Sequence, residues 1–326
     1  MRMAPLSKAA GLALALWLTS TVSAVANCIS SPDLAPAARI TSSEAAAGPT
    51  RRDANGRVVA PVTINGQGPF RFIVDTGANR SVLSTALAQS LALTPTGMGD
   101  VHSIDGVQSA PLVDVASLNY GLVPLGRAAL PVLGNAMMGG EQGILGVDGM
   151  QGKRLRLDFE HRCIEIIPSR TAPMLRGWAQ IRGTLRFGHL VVVPARVENV
   201  HVNVLIDTGS DISLANTAFR VALERGHLAR TPSQIERAYT AGRPVLLGNA
   251  VVVPELRLST VTISDTTLYI GDFHIFALWE LLQEPTLLIG MDVLSHAHAL
   301  AIDYERGMVY FRLPPTRGGW EARATS

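Results

Sequence analysis

Along most of this chain the apolar residues fall in short runs or in strict alternation, bounded by Gly, Pro, Asn and Asp. That is the pattern of β-strands joined by tight turns. Val58 to Ile64, the Asn65-Gly66 pair and Phe70 to Val74 predict a hairpin. Ser84 to Leu91 predicts a short helix, and Val101 to Gln108 a second hairpin with Asp105-Gly106 at its tip. Short strands are expected as far as Val132, followed by the compact unit Gly143-Ile144-Leu145-Gly146-Val147-Asp148. Within Lys153 to Ile167, Leu155-Arg156-Leu157-Asp158-Phe159 alternates as a strand does.

The second half repeats this order. Leu190 to Val197, a turn at Glu198-Asn199 and Val202 to Ile206 reproduce the opening hairpin. Tyr239-Thr240-Ala241-Gly242 matches the second hairpin, and Leu287-Leu288-Ile289-Gly290-Met291-Asp292 matches the compact apolar unit. Ile302-Asp303-Tyr304-Glu305-Arg306 matches Leu157-Asp158-Phe159-Glu160-His161. Matching landmarks in one order, about 130 residues apart, make a duplicated domain; the period is too long for a solenoid.

The most informative repeat lies where the opening hairpins end. Phe72-Ile73-Val74 runs into Asp75-Thr76-Gly77-Ala78, and Val204-Leu205-Ile206 into Asp207-Thr208-Gly209-Ser210. A lone Asp-Thr-Gly is expected in roughly one chain in twenty of this length. Two copies, each at the end of a core strand, demand a cause. Carboxylates are seldom buried without a partner, and each copy offers the other one.

Composition sets the frame. A chain of 326 residues that is 47% hydrophobic suits two ordinary cores. Arg2, Lys8, an apolar Gly11 to Leu18 and the small Ala24-Val25-Ala26 read as a secretory signal peptide over 1–26. Its removal takes away two positive charges, so the formal net charge of +2 falls to about zero, and nothing points to a nucleic-acid partner. Residues 27–56, rich in Ala, Ser and Pro, read as a flexible leader or pro-segment, with Arg51-Arg52-Asp53 as an exposed processing point. The lobes are expected at 57–167 and 184–314, with a linker at 168–183 and a loose tail at 315–326.

Cys28 and Cys163 suggest a disulfide in an oxidising compartment. The competing reading acylates Cys28, which would anchor the chain to a membrane, although Asn27 is wrong for a lipoprotein box. The texture of the signal and composition suggests a bacterial periplasm.

On these residues, each half resembles a retroviral-type aspartic protease protomer, and the pair resembles the bilobal pepsin plan in compact form. The resemblance covers roughly Arg57 to Leu313. It implies a mostly β fold of two barrel lobes about a pseudo-twofold axis, with a few short helices. It also implies a monomeric endopeptidase acting on peptide or protein substrates, without cofactor or metal, with Asp75 and Asp207 as the catalytic pair. Thr76 and Thr208 would hydrogen-bond across to the opposite loop, and Gly77 and Gly209 would let the chain turn tightly beneath the carboxylates. Ile104, Asp105, Gly106 and Tyr239, Thr240, Ala241, Gly242 would form flaps over the substrate. A Ser210 hydroxyl on the Asp207 carboxylate would leave the shared proton on Asp75. The alternative class is a non-catalytic peptide-binding or regulatory protein that keeps the cleft.

Other candidates carry less. His296 and His298 lie two apart without a third ligand at metal spacing, and no Ser has a Gly-x-Ser-x-Gly setting. Asp148 and Asp292 are expected to cap the next helix, and Asp158 and Asp303 to be structural.

Overall fold

The computed structural model describes residues 46–104, 106–187, 190–226, 236–239, 244–247, 250–315 and 320–322. Each half closes six strands into a ring. In the first lobe the circuit runs through Val58–Ile64, Gln67–Val74, Gly143–Leu145, Val82–Ser84, Val123–Leu133 and Gly106–Tyr120. It returns to its start by pairing Thr63 with Asn119 and Ile64 with Leu118. The second lobe repeats the circuit with Leu190–Val197, Val200–Ile206, Thr286–Ile289, Leu214–Ala215, Val261–Ile270 and Ala250–Leu258. It closes by pairing Arg196 with Arg257. Closure leaves a ring without free edges, and its inward side chains form the core.

Local chemistry explains the turns and the helix. Asn65 and Gly66 both take positive φ (51° and 75°), the mirror-image turn that matches strand twist. The Ser84 side chain caps the short helix Thr85–Ser90 by accepting the Leu87 N–H. Leu287, Leu288 and Ile289 form an uninterrupted apolar run because Thr286–Ile289 has strands on both sides and is buried throughout.

A six-stranded sheet joins the lobes, in the order Ala46–Pro49, Cys163–Pro168, Lys153–Asp158, Ala299–Asp303, Met308–Arg312 and Ala179–Arg182. Its central pairing sets Arg156 opposite Ala301, one strand from each lobe. Buried charges lie along it. Arg156 and Arg312 both donate to Asp158, while Ser169 and Arg306 donate to Asp303. Trp178 lies under both guanidinium groups at 5.2 and 5.9 Å. Asp158 and Asp303 are structural residues, as their matched strand-to-turn positions suggest.

Strand pairing corrects three expectations. The end of the leader is folded: Ala46–Pro49 pairs with Cys163–Pro168, and Arg51–Arg52 pairs with Val58 and Val59. Arg51 bonds Glu141, and Asp53 forms a fully buried ion pair with Arg57, so the expected processing point, exposed at Arg51 and Arg52 as expected, is nevertheless paired into the first lobe. The linker ends in the edge strand Ala179–Arg182. Within the tail, Trp320–Ala322 pairs with Val261, Thr262 and Ile263. Cys163 is buried and disulfide-bonded; Cys28 lies outside the described residues. Among the described residues no helix is long and apolar enough to cross a membrane.

The charged sheet gives a stability prediction. Asp158→Ala takes a buried carboxylate from Arg156, which is itself only 1% exposed. Breaking such a pair costs about 3–5 kcal/mol. Urea unfolding checks this, and a loss below about 1 kcal/mol would show that other groups satisfy the two arginines.

Candidate active site

Each Asp-Thr-Gly follows an inner ring strand whose direction the ladder fixes. Gln67–Val74 runs parallel to Gly143–Leu145, and the Asp75 N–H continues that ladder to the Leu145 carbonyl at 2.9 Å. Val200–Ile206 runs parallel to Thr286–Ile289, and the Asp207 N–H reaches the Ile289 carbonyl at the same distance. Both aspartates thus leave the barrels at equivalent points. There they meet: the two carboxyl groups hydrogen-bond each other.

The neighbouring threonines hold that meeting. Thr76 Oγ1 donates to the Ile206 carbonyl at 2.6 Å and accepts the Thr208 N–H at 3.1 Å. Thr208 Oγ1 donates to the Val74 carbonyl at 2.6 Å and accepts the Thr76 N–H at 3.2 Å. Both side chains are buried, so the four bonds do not compete with water. The glycines act differently from expectation. Neither Gly77 nor Gly209 has positive φ; instead, a Cβ on Gly77 would stand 2.5 Å from Asp207 Cγ, and one on Gly209 only 2.1 Å from Asp75 Cγ. They are glycine because the opposite carboxyl group needs the space. Each glycine N–H also donates to the aspartate of its own loop, at 2.9 and 2.8 Å.

A second matched pair, missed in the sequence, braces the loops. Ser81 gives its N–H and hydroxyl to the Asp148 carboxylate at 3.0 and 2.7 Å, and Ser213 does the same to Asp292 at the same distances. Each serine oxygen then accepts the N–H of the glycine in the compact apolar unit, Gly146 or Gly290. Asp148 and Asp292 therefore tie loop to loop; Asp292 also accepts the Val293 N–H at 2.9 Å in the first turn of Met291–Leu294, whose N-cap position is Gly290. The available signal was a Ser six residues after each Asp-Thr-Gly aspartate.

Electrostatics break the symmetry. Burial raises both carboxyl groups above the usual carboxylate range, Asp207 the more strongly because the Asp75 charge adds to the effect. On the other side, the positive charge of Arg57 lowers Asp75. Ladder register gives the cause: Val59 faces Ile73 as Val192 faces Leu205, each partner two residues before its aspartate. Arg57 thus corresponds to the apolar Leu190. The Ser210 hydroxyl donates to the Ile212 carbonyl at 2.7 Å and not to Asp207. The hydroxyl contact expected to leave the proton on Asp75 is therefore not made. Tyr304, buried where the first lobe has Phe159, has a hydroxyl without a hydrogen-bond partner among the described residues. Burial and the Asp75 charge push its titration far up.

The dyad floors a cavity of about 220 Å³. Val82, Leu133 and Ile144 line it from the first lobe, and Leu214, Ile275 and Leu288 from the second. The hairpin of Pro95–Ser103 and Gly106–Tyr120 covers it, and Ile104 at the tip is buried. In the second half, Glu236–Tyr239 pairs with Pro244–Leu247. Asp105, Thr240, Ala241 and Gly242 lie outside the described residues.

His296 and His298 stay apart from this site: His296 bonds the Val293 carbonyl and His298 faces Glu160. Asp158, Glu160 and His161 bring ligand atoms within 4.8 Å of one another, but the Arg312 guanidinium already bonds both carboxylates.

Comparison with curated proteins returns no match. A family model described as aspartyl protease matches residues 60–148 and 193–293, one stretch over each lobe and more than half of the chain. Two matches, each spanning one barrel and one Asp-Thr-Gly loop, place this chain in the aspartyl protease family, as a retropepsin-type domain present twice.

Proposed function

We propose that the protein is an aspartic endopeptidase that cuts extended peptide segments, with Asp75 and Asp207 as the catalytic dyad. The observation that carries this reading is the contact between the two desolvated carboxyl groups on the floor of a cleft walled by both lobes. Like charges this close cannot both ionise cheaply, so the pair shares one proton, as aspartic protease dyads in general do. Asp75, favoured as the anion by Arg57, takes a proton from a water molecule as that water attacks the peptide carbonyl carbon. Asp207, holding the shared proton, hydrogen-bonds the carbonyl oxygen as negative charge develops there. When the tetrahedral species collapses, the proton on Asp75 passes to the leaving nitrogen and the dyad returns to its starting state.

The apolar walls support a preference for hydrophobic side chains on either side of the cut. Both aspartates come from one chain, which supports a monomer. The signal-like N-terminus and the disulfide at Cys163 support export, with the periplasm as the proposed compartment.

Three outcomes are expected. Asp75→Asn and Asp207→Asn each lower cleavage of an unfolded protein substrate by about a thousand-fold or more between pH 3 and 8. A folded parent chain that cleaves at no pH would move the reading to a peptide-binding protein.

The second concerns pH. In the double variant Asp53→Asn/Arg57→Met, Asp75 loses the charge that favours its anion and binds its proton more tightly. The acid limb of kcat/KM reports the base, so it moves to higher pH; an unmoved limb would separate Arg57 from the dyad.

The third concerns the threonines. Thr76→Ala leaves the Ile206 carbonyl and the Thr208 N–H without their partner, at a cost of about 2–3 kcal/mol in urea unfolding, whereas Thr76→Ser keeps the hydroxyl and most of the stability. Equal losses in the two variants would assign the effect to the methyl group.

A further inference from the structure

The covering hairpin is tied to the opposite lobe at its tip. His102 Nδ1 lies 2.9 Å from His274 Nε2, with ring centroids 5.2 Å apart and planes within 7°. Parallel rings stacked face to face would not bring two nitrogens this close at that centroid separation. The numbers describe two imidazoles nearly in one plane, joined nitrogen to nitrogen. Beside this bond the His274 N–H donates to the Ile104 carbonyl at 3.0 Å. His102 and Ile104 belong to the first lobe and His274 opens the helix His274–Leu278 of the second, so the two bonds bridge the cleft above the dyad.

The space beneath the bridge is small and partly open to solvent. Pockets that take drug-sized ligands run from about 300 to 1,000 Å³, and the cavity beneath the bridge is about 220 Å³. The bridge crosses the side from which an extended polypeptide would reach the aspartates.

An imidazole–imidazole bond has a simple proton requirement. One nitrogen must carry hydrogen and the other must be bare. The bond forms when both rings are neutral and also when one is charged. It is destroyed when both are protonated, because two N–H groups and two positive charges then face each other. Resting on the protease reading above, we infer that His102 and His274 are positioning residues that hold the first hairpin shut over the dyad, and that protonation of both opens it to an extended substrate.

The surroundings allow this. Among the described residues, the charged groups on the elements around the bridge are few. Asp100 shares His102's strand and faces the same cavity, as does Arg80 on the wall, which donates to the Ala129 carbonyl. Asp75 and Asp207 form the floor, and Asp114 lies on the return strand. Asp272 and Glu280 flank the helix of His274, and the Asp272 carboxylate already accepts the Thr217 N–H. Asp100 is thus the one carboxylate on His102's own strand that also lines the cavity.

Hydrogen–deuterium exchange tests the bridge without any need for cleavage. Segments 98–104 and 274–278 are followed at pH 7.5 and 4.5, corrected for intrinsic exchange at each pH, in the full chain and in His102→Phe and His274→Phe. Protection in the parent is expected to fall by about ten-fold or more on going to pH 4.5, the effect of losing one or two hydrogen bonds. Both Phe variants are expected to exchange fast at either pH, while the inner strand 200–206 stays protected and reports an intact fold. Parent protection that is equal at the two pH values, or Phe variants as protected as the parent, would overturn the inference. If one variant loses protection throughout, the other and the parent's pH response still decide.

Activity adds a second readout. In either Phe variant the ratio of kcat/KM for an unfolded protein to that for a short peptide is expected to rise several-fold at pH 7.5 and to lose its pH dependence. A ratio unchanged from the parent would overturn the gate. Absence of cleavage in the parent would instead overturn the protease reading and leave the exchange result standing.

Discussion

Four hydrogen bonds made by two threonines, two with each other and two with the opposite strands, hold the two aspartate loops together. Each barrel closes on its own strands, and a six-stranded sheet joins them. The exchange between Thr76 and Thr208 ties the two Asp-Thr-Gly loops directly to each other. Because each threonine bonds the strand that delivers the opposite aspartate, a displacement of either lobe strains both carboxyl positions together. Ser81 and Ser213 carry this stiffness one layer outward, tying each loop to the neighbouring apolar unit of its own barrel. The dyad is therefore placed by buried bonds that water does not contest, and the pair can be brought closer than unconstrained carboxylates would settle.

Much of this was legible in the chain because duplication supplies its own control. A hairpin, an Asp-Thr-Gly, a covering hairpin and an apolar pair closed by Gly recur in order, and the recurrence fixes which landmarks matter. The edges were harder. Ala46–Pro49, Ala179–Arg182 and Trp320–Ala322 are short strands whose pairing partners are remote in sequence, so no local alternation announces them. Asp148 and Asp292 mislead because a carboxylate ahead of a helical turn satisfies the capping rule, while the serine that claims it lies 67 and 79 residues away. Ser210 misleads for a similar reason: its hydroxyl finds a nearer carbonyl than the carboxylate. The influence of Arg57 has no repeat to reveal it, since the second half places Leu190 there.

The pattern of agreement and disagreement has a physical sense. Features shared by the two halves serve the closing of the barrels and the meeting of the carboxyl groups, which both halves must do. Features present once differentiate the two sides: Arg57 and Tyr304 are buried and couple to Asp75, and the pair His102 and His274 bridges the cleft. A search for repeats finds the first kind and is blind to the second.

Carrying both halves in a single polypeptide has a consequence for how the two aspartates divide their labour. In a protease assembled from two identical subunits, any residue placed near one carboxyl group is placed near the other as well. The resting dyad is then a degenerate pair, and only an arriving substrate can lift the degeneracy. Here the degeneracy is already lifted by a covalently distinct neighbourhood, with a guanidinium charge acting on Asp75 and aliphatic surface at the matching place beside Asp207. The two sides of the cleft are therefore chemically distinct before anything enters it, a difference that two identical subunits could not encode.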